Sequence, residues 1–452
     1  MNDQQSSTAF PVCARQQVRN ALLFAICMGL IYLAAPIAYV GVVQATLCNR
    51  LGTSGAIANL PNTAFYLAML VPVVVTWRFH SIASIKPVLF TSFALASLAG
   101  VAMTVSLCLS TSVVVIISAV VAHSAIIGAA SNTIMAYFWE LLSRTVASER
   151  RGLALSLAFG IGPLLAVAGS MATQAILSGA FDSWWSWQEP ATTTSLVEAA
   201  TAQLRFALLF AATVPILGLA ALLCIFLVVP DCETPTVDRP PLIVGLIEGA
   251  RSIFSNRILR QAVIAYACVT AGSCIVNNMS LYQGVLTGRE ADEFAGYANA
   301  LRFSFKVAIG LVLGGLLART HAKLGVLVTS ILYFTGIGWA LFAPKGLFLI
   351  CFGFMGGGDL SGVYYPNYVS TWSPLDRIRG NVAFLQLITV SASIAPAAFG
   401  AISDLAGFRT SFVVAGAIIF AAIVLVIFGL PAHKENTGVQ ESSPPAADAE
   451  ST

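Results

Sequence analysis

Long apolar runs separated by short polar breaks make up most of this amino-acid sequence. A helix that crosses a bilayer needs about 20 mostly apolar residues, because each residue adds about 1.5 Å along the helix axis. Measured against that length, the pattern predicts twelve membrane-spanning helices. The predicted spans are Asn20–Val43, Ala56–Trp77, Pro87–Ser110, Ser112–Phe138, Gly152–Gly179, Phe206–Val229, Ala262–Gln283, Ala295–Ala318, Leu324–Ala343, Gly346–Val369, Asn381–Ser403 and Thr410–Leu430.

The polar stretch of residues 230–260 leaves six predicted spans on each side. It holds four prolines and four arginines, and a charged side chain at the centre of a bilayer is costly. We therefore interpret it as a connector outside the membrane, with Leu242–Phe254 either a solvated linker or a helix on the membrane surface. The predicted division is an N-terminal tail (1–18), a six-helix bundle (19–229), the connector (230–260), a second six-helix bundle (261–430) and a disordered tail (431–452).

Composition agrees with a membrane protein and narrows its class. Of 452 residues, 58% are hydrophobic and 10% are charged, and the mean hydropathy of +0.85 is too high for a soluble domain. The nine cysteines show no metal-ligand spacing, and no His/Asp/Glu cluster in the sequence indicates an enzyme or a metal site. The sequence also lacks a GxxxxGK(S/T) phosphate loop, which argues against a primary pump. We expect no cofactor, no nucleic-acid partner and a monomer.

Lysine and arginine are spread unevenly over the predicted loops, and this bias predicts the orientation. With a cytoplasmic N-terminus, sixteen of them fall in inner segments, against four in outer loops: Arg50, Arg289, Lys345 and Arg409. We therefore predict that both termini and the connector are cytoplasmic. The expected location is the plasma (inner) membrane, with the lipid bilayer as a partner.

The two halves of the sequence are weakly similar, which predicts a pseudo-two-fold repeat of six spans. Residues 148–157 read SERRGLALSL and residues 376–385 read DRIRGNVAFL; aligning their Arg-Gly pairs gives an offset of 228 residues (379 − 151). Near the start of each half the offset is 241 residues, as between Arg78 and Arg319 (319 − 78). A length change in the third and fourth spans explains both offsets.

In this architecture the chain resembles the major facilitator superfamily. Residues 314–323, GGLLARTHAK, look like a degraded copy of that family's Gly-x-Leu-x-Asp-Arg-x-Gly-Arg-Arg loop, and Gly162–Pro163 resembles a pair found in its exchangers. The resemblance implies two six-helix bundles that rock about a central site. It also implies gating or conformational roles, mostly at the inner ends, for Glu140, Arg151, Gly152, Arg319, Arg379, Gly380, Gly162 and Pro163.

Charged residues inside the spans are the first candidates for a transport site, because they are costly in a membrane. Asp359 lies about halfway along predicted span ten, after three glycines (356–358) that weaken or bend a helix. Arg302 and Lys306 share a face of predicted span eight at i and i+4. Two positive charges there predict an anionic or zwitterionic solute; a structural salt bridge with snorkelling toward the headgroups is the alternative.

Uncharged polar residues and one histidine are the second group of candidates. Asn277 and Asn278 in predicted span seven, Asn132 in span four and Tyr32 in span one can bind a solute or join helices. The 228-residue offset matches Asp359 with Ser131, the residue before Asn132. His123 can carry a coupling proton because histidine titrates near neutral pH, or it is a core histidine bonded to a neighbouring carbonyl.

These patterns predict a secondary active transporter that works by alternating access. We hypothesise a coupling proton and an anionic or zwitterionic metabolite as the small-molecule substrate. A multidrug or metabolite efflux exchanger is the alternative, which Gly162–Pro163 weakly favours. A channel or a non-transporting receptor is less well supported, since a two-half repeat is typical of alternating access.

Overall fold

The structure is a computed structural model and describes residues 12–38, 41–147, 151, 154–155, 157–182, 195–229, 241–317, 320–374, 381, 384–385 and 387–432. Its regular elements within those residues are helices, and twelve helical segments are long and apolar enough to cross a membrane. This confirms the predicted all-helical fold. We number the segments span 1 to span 12: Ala14–Arg50, Gly55–Arg78, Ile82–Leu109, Val113–Thr145, Leu157–Leu177, Ala200–Cys224, Arg257–Thr287, Asp292–Leu316, Ala322–Phe342, Lys345–Trp372, Thr389–Ala406 and Phe408–Gly429.

Spans 7 and 10 each contain two helices that meet at a break. Span 7 combines Arg257–Ser273 with Val276–Thr287, and span 10 combines Ile350–Gly358 with Ser361–Trp372. Span 1 contains the helices Ala14–Ala38 and Val42–Arg50. A broken helix leaves backbone groups without i→i−4 bonds, which a membrane tolerates only where protein or a cavity surrounds them. The breaks therefore point to the interior of the molecule.

Spans 2, 5 and 11 contain turns of altered helical pitch. In each of them a proline lies in the first turn of a helix, where its missing N–H removes no helical hydrogen bond. The π-helical turn of span 5 is of a kind often found at functional sites. The elements are Gly55–Ala58, Leu60–Leu67, the 3-10 turn Ala68–Leu70 and Val71–Arg78 in span 2, the π turn Leu157–Ile161 and Gly162–Leu177 in span 5, and the 3-10 helix Thr389–Ile394 and Ala395–Ala406 in span 11.

Span 7 begins at Arg257 rather than at the predicted Ala262, so the end of the predicted connector is helical. The side-chain oxygen of Asn256 accepts hydrogen bonds from the backbone N–H of Ile258 at 2.9 Å and of Leu259 at 3.3 Å. Such an N-cap satisfies donors that the first turn leaves free and so starts a helix. A criterion based on apolar length misses this start because arginines interrupt the run.

The described part of the connector also contains a short amphipathic helix, Leu242–Ser255. Ile243, Ile247 and Phe254 recur at helical spacing and are exposed. This pattern is typical of a helix that lies on a membrane surface. The helix itself is present, and its position at the membrane stays a prediction; residues 230–240 lie outside the described residues.

Each half of the molecule has its own apolar core. In the first half Phe24 and Phe138 meet edge to face, with 5.2 Å between their ring centroids. In the second half Tyr282 and Phe412 make the same kind of contact at 5.4 Å. Aromatic pairs in this geometry stabilise a core beyond the area they bury, so each half is packed as a unit.

The two halves are also joined, at one end. We call this end the Arg50 end, after the last residue of span 1, and the opposite end the Arg144 end, after a residue near the end of span 4. A third apolar cluster at the Arg50 end contains Leu47 of span 1 together with Leu281 and Ala295 of spans 7 and 8. These side chains are buried, so water is excluded there from the seam, the surface along which the halves meet.

Equivalent glycine crossings in the two halves confirm the repeat. A Cβ on Gly128 of span 4 would lie 2.4 Å from the backbone oxygen of Phe65 in span 2. A Cβ on Gly356 of span 10 would lie 1.8 Å from the backbone oxygen of Arg302 in span 8. The two glycines are 228 residues apart (356 − 128), which is the offset obtained from the sequence. Because only glycine allows such an approach, each half brings its second and fourth spans into backbone contact at the matching glycine. The partner residues are 237 apart (302 − 65), so the contact in the second half falls four residues, about one helical turn, from the position that the 241-residue offset predicts.

Candidate functional site

A buried ion pair between spans 8 and 10 forms the centre of the candidate site. The Arg302 guanidinium donates from Nε to Oδ2 of Asp359 at 2.7 Å and from Nη2 to Oδ1 at 2.9 Å. The Tyr333 hydroxyl of span 9 donates to the same Oδ1 at 2.8 Å. The charged side chains are only 14% and 16% exposed. Both carboxylate oxygens are thus hydrogen-bonded, which offsets the cost of burying the charges.

The glycines before Asp359 explain how this pair forms. Gly356 lets the backbone of span 10 touch that of span 8 at Arg302, and Gly358 leaves room for the Tyr333 ring, which a Cβ would meet at 2.5 Å. Asp359 lies at the break between the two helices of span 10. The helix break that the three glycines predict is therefore present, together with a tight helix crossing at Gly356.

Further groups from both halves border the pair. Lys306 lies one helical turn from Arg302 on span 8 and interacts electrostatically with Asp359. Tyr66 of span 2 packs against the apolar cores of both halves and so lies at the seam. Nη1 of Arg302 is buried and has no hydrogen-bond partner among the described residues. The site thus lies at the seam and retains one unpaired donor.

The two neighbouring asparagines of span 7 have opposite surroundings. Asn278 donates to the backbone oxygen of Phe399 at 2.8 Å and to Ser403 Oγ at 2.7 Å, and it accepts from Asn59 of span 2 at 2.7 Å. It therefore joins spans 2, 7 and 11, as the helix-joining alternative predicts. Asn277 is fully buried, yet neither atom of its amide has a hydrogen-bond partner in the described part of the chain.

Two matching contacts join the halves at the Arg50 end. In the first, which we call the Asp404 latch, the carboxylate of Asp404 in span 11 accepts hydrogen bonds from the backbone N–H of Gly55 at 2.7 Å and from that of the following residue at 2.9 Å. In the second, which we call the Gln174 latch, the side-chain oxygen of Gln174 in span 5 accepts hydrogen bonds from the backbone N–H of Gly296 at 3.1 Å and from that of the following residue at 3.3 Å. The donors are 241 residues apart (296 − 55), so the repeat offset also relates the latches.

Further polar contacts hold the same end closed. Arg50 Nη1 lies 3.1 Å from Oδ1 of Asp292 at the start of span 8. Gln174 also donates from Nε2 to the backbone oxygen of Glu293 at 2.7 Å. With the apolar cluster at this end, these contacts close the seam at the Arg50 end.

Asn132, a predicted solute contact, and His123, a predicted carrier of a coupling proton, have their contacts inside the first half. Asn132 donates to the backbone oxygen of Gly128, one turn earlier in its own helix, at 2.9 Å. His123 meets Phe210 of span 6 edge to face, with 5.0 Å between ring centroids. Both ring nitrogens of His123 are buried and unpaired within the described residues. Neither set of contacts brings these residues to the ion pair.

Tyr32 and Gly162, predicted for separate roles, are in contact. A Cβ on Gly162 would lie 2.3 Å from Cδ2 of the Tyr32 ring, so this ring packs span 1 against span 5 only because residue 162 is glycine. Pro163 lies in the first turn of the helix that follows the π-helical turn. The conformational role of Gly162–Pro163 stays a prediction, which its position beside a helical irregularity supports.

The predicted gating residues of the Arg144 end are only partly described. Glu140 and Arg144 form an i, i+4 ion pair at 2.7 Å. Arg151 donates from Nε to the backbone oxygen of Val146 and from Nη2 to that of Ser143, both at 2.7 Å, and so caps the end of span 4. The other predicted gating residues lie outside the described residues: Gly152, Arg319, Arg379 and Gly380.

Sequence reasoning missed four residues that the structure places at the seam. Tyr66 and Tyr333 are isolated tyrosines in apolar spans, and their spacing gave no link to the ion pair. Gln174 and Asp404 lie near predicted span ends, where polar residues are ordinary. The 241-residue offset was the one usable signal, because it relates the backbone donors of the two latches.

Solved structures match this fold. The nucleoside transporter NupG has a TM-score of 0.62 at 12% identity, covering 91% of this chain and 98% of that one. A bacterial homologue of the human lysosomal transporter Spinster, inward-facing and unoccupied, has a TM-score of 0.64 at 14% identity, covering 92% and 97%. FucP, a major facilitator superfamily transporter and the E. coli fucose:proton symporter, has 0.60 at 14%, covering 92% and 100%.

These matches define a class for the fold. The chain has the fold of the major facilitator superfamily transporters, which confirms the resemblance found in the sequence. No protein-family model matches the chain, and no curated protein matches its sequence. The solute therefore has to be inferred from the residues of this chain.

Proposed function

We propose that the protein is a secondary active transporter that moves a small polar solute by alternating access. The observation that carries the proposal is the buried Arg302–Asp359 pair at the seam, where Tyr66 of the first half packs against the core of the second half. Ionisable groups inside a membrane protein are costly and mark solute or proton paths. Since the halves are joined at the Arg50 end, transport requires this end to open while the Arg144 end closes.

The proposal includes an orientation and a location. Both termini and the connector are cytoplasmic, the membrane is the plasma (inner) membrane, and the transporter works as a monomer. Support comes from the excess of lysine and arginine in the predicted inner segments. In this orientation the Arg50 end is the outer end, so the structure represents the conformation closed toward the outside.

Asp359 is the residue to which we assign proton coupling. Protonation would remove its negative charge and weaken its pairing with Arg302, while Tyr333 would donate to a neutral acceptor and Lys306 would lose a neighbouring negative charge. Proton binding would thereby be linked to the packing of spans 8, 9 and 10. A proton symporter occurs among the structural matches, FucP, and this supports the same kind of coupling here.

The ion pair weakens the argument for an anionic solute. In this conformation Asp359 neutralises Arg302, so the Arg302–Lys306 face carries one surplus positive charge rather than two. An anionic or zwitterionic metabolite would therefore depend on Lys306 and on the unpaired Nη1 of Arg302.

Transport by purified protein in proteoliposomes tests the proposal. We expect saturable uptake and counterflow of a polar solute, with accumulation driven by a pH gradient. Asp359→Asn should abolish the proton-driven accumulation, while Glu248→Gln, which changes an exposed carboxylate of the connector helix, should not. An ohmic current that does not saturate would indicate a channel and contradict the proposal.

A further inference from the structure

Unpaired amide groups gather in the seam toward the Arg50 end. Neither amide atom of the buried Asn277 has a hydrogen-bond partner among the described residues. In three other buried amides the nitrogen donates a hydrogen bond and the oxygen is unpaired: Gln44, Asn59 and Asn299. A buried polar atom without a partner is rare in proteins, so a group of them requires an explanation.

These amides come from four spans that meet at the seam. Asn299 of span 8 donates to the backbone oxygen of Pro36 in span 1 at 3.4 Å. Asn59 of span 2 donates to the residue that follows Asn277, at 2.7 Å. The Asn277 amide itself lies against Gly41, where a Cβ would be 3.1 Å from the amide oxygen. Spans 1, 2, 7 and 8 thus bring amides from both halves to one surface.

The seam is packed too tightly to hold a solute here in this conformation. The four amide side chains are at most 1% exposed, so nothing outside the protein reaches them in this conformation. The gap beside Gln44, lined by residues of spans 1, 2 and 4, has no room for a water molecule that could complete the hydrogen bonding of that amide. The unpaired atoms gain partners when the halves part at the Arg50 end, which is the movement that alternating access requires.

The identity of the unpaired atoms indicates which solutes would fit. In Gln44, Asn59 and Asn299 the free atom is a carbonyl oxygen, which accepts a hydrogen bond. The four amide side chains carry no charge, and Asp359 already neutralises the Arg302 guanidinium on the same span as Asn299, so an ion held by the four amides would lack a countercharge of its own. A hydroxyl group can donate to these oxygens and also accept from Nη1 of Arg302, which lies about one helical turn from Asn299 on span 8.

We propose that Gln44, Asn59, Asn277 and Asn299 form a binding subsite for an uncharged solute with several hydroxyl groups. The subsite is exposed in the conformation that is open at the Arg50 end. The inference rests on the proposed transport function for the movement of the halves, and it specifies the class of solute. That class differs from the anion predicted by the spacing of Arg302 and Lys306.

Equilibrium binding to the purified full-length protein tests the subsite without any flux. The probes are D-glucose, myo-inositol and uridine, each compared with an anionic counterpart: D-glucuronate, inositol monophosphate and uridine monophosphate. We expect at least one uncharged probe to raise the unfolding temperature, and its anionic counterpart to bind at least about tenfold more weakly. Stabilisation by anionic probes alone, or by no uncharged probe, would overturn the inference.

Leucine substitutions distinguish a binding role from a structural one. Asn277→Leu and Asn299→Leu should each weaken binding of the uncharged probe by about tenfold or more. The ligand-free unfolding temperature of Asn277→Leu should be unchanged or higher, because the substitution removes an unpaired buried amide. The control is Thr329→Val, which removes a buried hydroxyl bonded within its own helix to Gly325 at 2.9 Å and should leave binding unchanged. Wild-type affinity in both leucine variants would contradict the subsite.

Counterflow of the same probes separates this inference from the transport proposal. If an uncharged probe exchanges across the membrane and Asn277→Leu abolishes the exchange, both are supported. If only an anion exchanges and Asn277→Leu has no effect, transport is supported and the subsite is wrong. If an uncharged probe binds through Asn277 but no probe crosses the membrane, the subsite is supported and the transport proposal is wrong.

Discussion

The two halves of the molecule share a backbone arrangement but differ in the chemistry placed on it. Gly128 and Gly356 make equivalent close crossings, of span 4 on span 2 and of span 10 on span 8. Three residues after each glycine comes Ser131 in the first half and Asp359 in the second. Among the described residues, only the second half has an ion pair at this depth.

The difference indicates that the solute meets two unlike surfaces. By the 241-residue offset, Arg302 corresponds to Pro61 (302 − 241) and Lys306 corresponds to Phe65 (306 − 241). The first half therefore presents apolar side chains and a hydroxyl group where the second presents charge. We infer that proton coupling belongs to the second half, and that the first half contributes to binding through shape and hydrogen bonds.

Removal of Asp359 should produce the largest effect, because it leaves a buried charge unpaired. In Asp359→Ala the Arg302 guanidinium loses the carboxylate that accepts two of its hydrogen bonds. Breaking a buried pair in this way costs about 3 to 5 kcal/mol. We expect a lower unfolding temperature and no proton-driven uptake, measured by thermal unfolding in detergent and by uptake into proteoliposomes.

The matching position in the first half provides the control. Ser131→Ala should change neither the unfolding temperature nor uptake. The double variant Arg302→Met with Asp359→Leu should recover stability, because no unpaired charge remains, but not uptake. A loss of uptake in Ser131→Ala as large as that in Asp359→Ala would show that the halves do not differ in the proposed way.

Valine at either glycine crossing tests what the halves share. A Cβ at Gly128 or Gly356 would lie closer than van der Waals contact to a backbone oxygen, which cannot turn aside as a side chain can. Overpacking of this kind costs about 1 to 3 kcal/mol or more. We expect Gly128→Val and Gly356→Val to lower the free energy of unfolding by similar amounts.

Gly338→Val is the matched control, because no atom lies within 4 Å of a Cβ built at Gly338. It should leave stability nearly unchanged. Full stability in Gly128→Val, with collapse of Gly356→Val, would mean that the repeated crossing matters in one half only.

The fold could be predicted from the sequence because its determinants are local or periodic. Apolar length gave the twelve spans, and the 228-residue offset predicted the correspondence that the glycine crossings now show. Span ends set by a single side chain could not be read this way. The N-cap at Asn256 is an example, since it moves the start of span 7 into the predicted connector.

The candidate site could be predicted only in part. Asp359, Arg302 and Lys306 were identifiable because charge is rare in an apolar span, and a structural salt bridge was one of the two predicted roles for the charges of span 8. Tyr66 and Tyr333 were not, because their contacts depend on how distant spans cross. The unpaired state of the seam amides is a property of packing, and residue type alone cannot show it.

The two latches differ in burial and charge: the Gln174 latch is buried and neutral, and the Asp404 latch is exposed and charged. Gln174 is 5% exposed and makes three hydrogen bonds across the seam, whereas Asp404 is exposed and makes two. Water replaces lost hydrogen bonds more readily at an exposed site. Gln174→Ala should therefore favour opening of the Arg50 end by about 1 to 2 kcal/mol, and Asp404→Ala by about half as much.

The buried thiol of Cys48 in the apolar cluster of the Arg50 end reports this opening. Its alkylation by N-ethylmaleimide, followed by mass spectrometry, should be fastest in Gln174→Ala, slower in Asp404→Ala and slowest in the wild type. Gln203→Ala is the control, because Gln203 bonds only to Leu107 and Ser110 of its own half in the described contacts. Equal rates in the two latch variants would show that burial does not distinguish the latches.

Substitution of Asn132 should have the smallest effect, and it tests the first half where sequence reasoning placed a solute contact. The Asn132 amide nitrogen donates to Gly128 in its own helix, so its loss breaks no contact between spans. We expect Asn132→Ala to change stability by less than about 0.5 kcal/mol and uptake by less than about twofold. An increase in KM of about tenfold at unchanged kcat would instead mean that Asn132 binds the solute equally in the ground and transition states. The first half would then contribute a specific ligand beside Ser131, and its role would extend beyond the seam amides nearer the Arg50 end.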